Sequence, residues 1–172
     1  MYIITVGVEG RPAIEFTAIA WRVSSDALHL VEIYHTFVKQ DLEQMKKDGF
    51  GRRVVHGIPM KTVLRQGLTR SAMKEQLLIF HERYGRCPLF IRENNRFHSL
   101  RLKNFYFTQL PEVNAVVATI PDRLNDICHS KNHCKKNKGY QTMFRCSSHK
   151  AFIIGSMYAT IHGLELCDDL IV

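Results

Sequence analysis

The chain of 172 residues contains no run of eighteen apolar residues, and its opening MYIITVGVEG has neither a basic stretch nor a long apolar core. A transmembrane span and a secretory leader are therefore not expected. The length is short for two ordinary domains, while the apolar content of 45% is too high for a disordered chain. One globular domain with a real core follows. Acidic residues are the scarce charge, 16 against 24 Lys and Arg, which leaves a formal +8. The imbalance is clustered: nine basic residues against three acids from Lys39 to Lys74, and seven against two from Pro121 to Lys150. The sign reverses at the end with Glu165, Asp168 and Asp169. Such clusters suit a polyanionic partner, because each phosphate contact releases counterions, and the plainer alternative is solubility alone. With no leader, a nuclear or cytoplasmic setting is expected, in which the five cysteines stay reduced.

Hydrophobic patterning then places the elements. Tyr2 to Gly7, Ile14 to Val23 and Leu30 to Val38 are rich in β-branched and aromatic residues. Turn residues Gly7, Gly10 and Pro12, then Ser24 to Ala27, separate them, so an antiparallel meander of three strands is expected. Residues 41 to 57 read as loop or short helix. Met73, Leu77, Phe80 and Tyr84 recur at helical spacing and predict a helix over Ser71 to Tyr84, closed by Gly85. Pro88 to Ile91 reads as a short buried strand, Arg96 to Phe105 as a helix, Glu112 to Ile120 as a strand or half-buried segment, and His149 to Gly163 as the last helix, capped by Ser147 or Ser148. The expected fold class is α/β, a ribonuclease-H-like mixed sheet opened by an antiparallel meander and flanked by helices.

The densest chemistry is CHSKNHCKKNKGYQTMFRCSSHKAF, Cys128 to Phe152, which holds three of the five cysteines and three of the nine histidines. Zinc takes four tetrahedral ligands, commonly thiolate or imidazole from two short hooks. Cys146 with His149 is one hook, and Cys128 with His133 or Cys134 is the other. The polar loop Lys135 to Gly139 has no core of its own, so a metal crosslink would order it. The competing reading makes Cys128 and Cys146 small buried hydrophobes and the histidines surface residues. Cys87 and Cys167 read as structural.

Several phrases resemble the DEDDh exonucleases of the ribonuclease-H-like fold: IITVGVE at Ile3 to Glu9, FVKQ at Phe37 to Gln40, VHGIPM at Val55 to Met60, NNRFH at Asn94 to His98 with Leu102 beyond it, and His149 with Ala151. That resemblance implies a two-cation nuclease held by carboxylates. Most of those carboxylates are missing here. Gly7 stands at the first aspartate position, His98 at the next, and Ile154 at the last, with Glu9 alone retained. Loss of two-metal chemistry is expected. A remnant acid-base site using Glu9, His56, His98 and His149 is the enzymatic alternative, against which Glu9 reads as a solvated turn residue and His56 as a cap before Pro59.

A second resemblance accommodates the losses. RPAIEFTAIAW, Arg11 to Trp21, and IYHTFV, Ile33 to Val38, are similar to phrases of the Maelstrom domain, in which a Glu-Cys-His-Cys or Glu-His-His-Cys zinc set replaces the exonuclease acids. That family's glutamate carries over as Glu15, which the resemblance makes the alternative ligand in place of Cys128 or Cys134. The Cys128–His133–Cys134–Cys146–His149 spacing departs from the family order. The resemblance implies a non-catalytic RNA-binding domain in germline small-RNA (piRNA) transposon silencing, acting in the cytoplasm, in perinuclear granules, or in the nucleus. Its expected partners are single-stranded or structured RNA and small-RNA pathway proteins. On the sequence's own terms, phosphate contacts are expected from Lys46, Lys47, Arg52, Arg53, Lys131, Lys135, Lys136 and Lys138, with Tyr140, Phe144 or Phe105 as stacking groups. A nuclease with an altered site and a protein-interaction scaffold are the alternatives.

Overall fold

Alternation of side chains across a long three-stranded meander builds the centre of the molecule. The computed structural model describes residues 1–10, 12–41, 43, 57–92, 100–111, 113, 121–128 and 146–167. Strands β1 (Tyr2–Glu9), β2 (Glu15–Val23) and β3 (Ala27–Phe37) pair antiparallel in sequence order, with Gly7 opposite Thr17 and Glu15 opposite Phe37. The β2–β3 turn is tightened by Ser24, whose hydroxyl accepts from the Ala27 amide at 3.1 Å and donates to the Ala27 carbonyl at 2.9 Å. β3 therefore starts three residues earlier than its apolar run at Leu30 suggests.

Two helices follow, α1 (Met60–Gln66) and α2 (Arg70–Arg83), then β4 (Leu89–Ile91) and β5 (Phe107–Gln109), α3 (Asp122–Ile127), α4 (Ser147–His162) and β6 (Glu165–Cys167). The sheet order is β5-β4-β1-β2-β3-β6, and every pairing outside the meander is parallel. Among the described strands only β2 runs against the rest. This is the ribonuclease-H-like α/β arrangement expected from the sequence.

The two sheet faces bury different helices. Ile4, Val6, Val8, Phe16, Ala18 and Ala20 point to the α2 side, where Met73, Leu77 and Phe80 form its buried stripe. Ile3, Ile19 and Trp21 point to the other side, against Ala151, Phe152, Ile154 and Met157 of α4. Helix α4 is apolar nearly all round and, apart from the half-buried Lys150, buried from Ser147 to Ala159, as befits a helix inside the fold and not on its surface. Among the described residues no helix is long and apolar enough to cross a membrane.

Two sequence expectations change. Leu100 lies in a 3₁₀ turn and residues 101–106 run on as a tight turn, so the helix expected over Arg96 to Phe105 does not reach Phe105, and its residues 96–99 lie outside the described residues: the Lys103 amide bonds to the Arg101 carbonyl at 2.9 Å and the Phe105 amide to Leu102 at 3.1 Å. Leu100 and Leu102 are buried two residues apart, a spacing no helix face provides. The cap of α4 is Cys146 in extended conformation, its Sγ accepting from the His149 amide at 3.4 Å, so Ser147 and Ser148 lie inside the first turn. Most of the expected loop at 41–57 and of the strand at 112–120 lies outside the described residues.

Candidate metal centre

The register of β1 and β2 turns Gly7, Glu9, Glu15 and Thr17 toward α4. The helix reaches them because Gly7 has no side chain: a Cβ there would lie 2.1 Å from the Ser147 carbonyl oxygen and 2.6 Å from the Ala151 nitrogen. Thr17 and Ser147 share a hydroxyl hydrogen bond at 2.7 Å, and the buried Glu15 accepts from the Ser147 amide at 2.8 Å. A carboxylate at the first amides of a helix satisfies an otherwise orphaned donor and favours the helix dipole. The other Glu15 oxygen meets His35 Nε2 at 3.0 Å, from β3.

That clamp fixes the turn carrying Cys146 and His149. Cys128 comes from the residue after α3, drawn in by the same core as Leu124. Cys128, Cys146 and His149 are all buried, and their ligand atoms lie within 4.8 Å of one another. The Cys146 Sγ also sits 3.3 Å from the Ser148 hydroxyl, and Nδ1 of His149 is a buried nitrogen that makes no hydrogen bond. Two thiols and an imidazole gathered in a dry place form a group that could hold a metal ion.

Of the residues expected at such a site, the structure thus brings together Cys128, Cys146 and His149. Cys134 and His133 lie outside the described residues. Glu15 stands beside the group without joining it, its two oxygens directed to His35 and the Ser147 amide. Glu9 is no solvated turn residue. It is 5% exposed, accepts from the Gly10 amide at 3.1 Å and ion-pairs with Lys150, whose ammonium also donates to the Val8 carbonyl at 3.2 Å. Ile154 is a core residue. Cys87 is buried, and burial pushes its thiol up to about 11.

His35 and Lys150 were not legible as site residues. Their signals are faint: a histidine on the same strand face as Ile33, and one cation opening an apolar helix. Lys46, Lys47, Arg52, Arg53, Lys131, Lys135, Lys136, Lys138 and Tyr140 lie outside the described residues, as do His56, His98 and Phe144. Phe105 is half-buried and packs against His81 and Phe107, ring centroids 5.7 and 6.3 Å away. No family model matches the chain, and no curated protein matches it.

Proposed function

We propose that this chain is a divergent Maelstrom-type domain that binds RNA without cleaving it, held together by one structural zinc, and that it serves small-RNA silencing of transposons in the germline. The observation that carries the reading is the first turn of α4. Its backbone lies directly on Gly7, the position where the resembled exonucleases carry their first aspartate, and the same turn presents Cys146 and His149 to Cys128. No carboxylate fits at residue 7 while that helix stays in place. Glu9, the one retained acid, is engaged by Lys150.

Zinc suits the donor set better than magnesium or calcium, which prefer oxygen ligands. Bound there, it supplies a crosslink between the end of α3 and the start of α4. RNA is supported by the +8 charge and its clustering. The expected setting is cytoplasmic or perinuclear.

Protein purified without added zinc is expected to carry about one zinc per chain, reduced by Cys146→Ser or His149→Ala. Labelled single-stranded RNA is expected to bind in anisotropy titrations and to survive intact with Mg²⁺ or Mn²⁺. Metal-free protein that folds normally in chelator overturns the zinc. Cleavage abolished by Glu9→Gln or His149→Ala overturns the loss of chemistry. A chain that binds neither single-stranded nor duplex RNA at low salt is a protein-interaction scaffold.

A further inference from the structure

The short turn before the edge strand β5 presents an aromatic ring to solvent as no other part of the described chain does. Tyr106 is 91% exposed, while its neighbours on both sides are anchored. Leu100 and Leu102 are buried in the α2-side core, and Phe105 is wedged between His81 and Phe107. The turn is thus pinned at three points, and what it projects outward is Arg101, Lys103, Asn104 and Tyr106. Burial alternates with exposure along a rigid segment, so the display is a consequence of the anchoring.

Charge and conformation single out the same residues. Arg101 holds φ at 50°, a left-handed conformation that an L side chain adopts only under strain. Among the described residues neither Arg101 nor Lys103 has an acidic partner within ion-pair distance. From Asn94 to Pro111 the sequence contains no acid at all. Two uncompensated cations five residues or fewer from a fully presented phenol ring form a small surface for an anion that also carries a flat apolar face.

We propose that the turn 100–106 is a contact site for unpaired RNA, with a base stacked on Tyr106 and the adjoining phosphates met by Arg101 and Lys103. The inference rests on the RNA-binding reading above and gives it a location. A projecting ring stacks only on a base that has left its helix, so single strands are selected over duplex. The phosphate contacts add affinity without reading sequence.

The test uses the full chain with fluorescein-labelled oligouridylate and, in parallel, a labelled RNA duplex. Tyr106→Ala is expected to weaken oligouridylate binding by about thirtyfold, the middle of the range for one lost base stack, and to leave duplex binding nearly unchanged. Arg101→Gln with Lys103→Gln is expected to lower the salt slope by about 1.4, two single-strand phosphate increments. Tyr106→Trp is expected to preserve binding and to lose emission when RNA is added. Its signal is separable because the native tryptophan, Trp21, is fully buried. Wild-type protein that binds oligouridylate no better than Tyr106→Ala overturns this site and leaves the RNA-binding reading standing. Wild-type protein that binds neither probe at low salt overturns both.

Discussion

At the scale of single residues, two glycines set how closely α4 lies on the sheet. Gly7 meets backbone atoms of α4, and Gly155 meets the ring of Trp21, whose nearest atom would be 2.4 Å from an added Cβ. Glycine weakens a strand or a helix through its entropy, so both positions are retained for approach. Trp21 is further fixed by its indole N–H donating to the Thr5 hydroxyl at 2.8 Å, and so cannot swing aside freely. Gly7→Ala and Gly155→Ala are each expected to destabilise the fold by about 1–3 kcal/mol, the range for overpacking a tight interior. Gly7→Ala should be the worse, since no side chain there can yield. Urea unfolding measures it, and an alanine at residue 7 that leaves the midpoint unchanged would mean that α4 does not lie on β1 as described.

At the scale of elements, the start of α4 is the junction on which the candidate centre depends. Glu15 anchors it from β2, so Glu15→Ala leaves the Ser147 amide unpaired in a buried place, at about 1–3 kcal/mol. Glu15→Gln keeps an oxygen for that amide and is expected to be milder. Hydrogen exchange at residues 147–150 should accelerate in Glu15→Ala and, by the same logic, in chelator-treated wild type. Zinc content separates the two possible roles of Glu15. Retention of metal in Glu15→Gln fits an anchor, and loss as complete as in Cys146→Ser would make Glu15 a ligand. The sequence made β1, β2, α2 and α4 legible because each carries eight or more residues of one character: β-branched and aromatic in the strands, a spaced apolar stripe in α2, and a nearly uncharged run in α4. It did not reveal α1, α3, β5 or β6. These have three to seven residues each, too few for a period, and owe their form to neighbours: β6 exists because Ala27 to His29 offers it an edge. The Cys146–His149 hook was readable because a helical turn is local. The Glu15–His35 contact was not, since it depends on a β2–β3 register that a slip of one residue would abolish.

At the scale of the whole molecule, burial or partial burial holds several proton-bearing groups in their neutral form. Burial raises Tyr34 to about 12 and Cys87 to about 11, and raises Tyr158 and Tyr84 as well, the latter also through its hydrogen bond to Glu32. Tyr34, Tyr84 and Cys87 all lie with the α2-side cluster, and Phe80 joins the rings of the two tyrosines at 5.8 and 5.3 Å. In the unfolded chain the same thiol and phenols release protons near 9.0 and 10.0. Below those values both states hold the protons and stability does not depend on these groups. As pH rises past them the unfolded chain binds fewer protons than the fold, so the free energy of unfolding falls, continuing until the raised values are passed. Urea unfolding of the whole chain is therefore expected to show a midpoint that is level up to about pH 9 and declines steadily toward pH 12. Tyr34→Phe should flatten the upper part of that decline, because it removes a half-buried phenol whose proton is held to higher pH and keeps the ring between Phe16 and Phe80. A midpoint that rises over this range, or a Tyr34→Phe profile superimposable on the wild type, would show that the α2 face admits water to these groups and that the core described there is looser than its packing indicates.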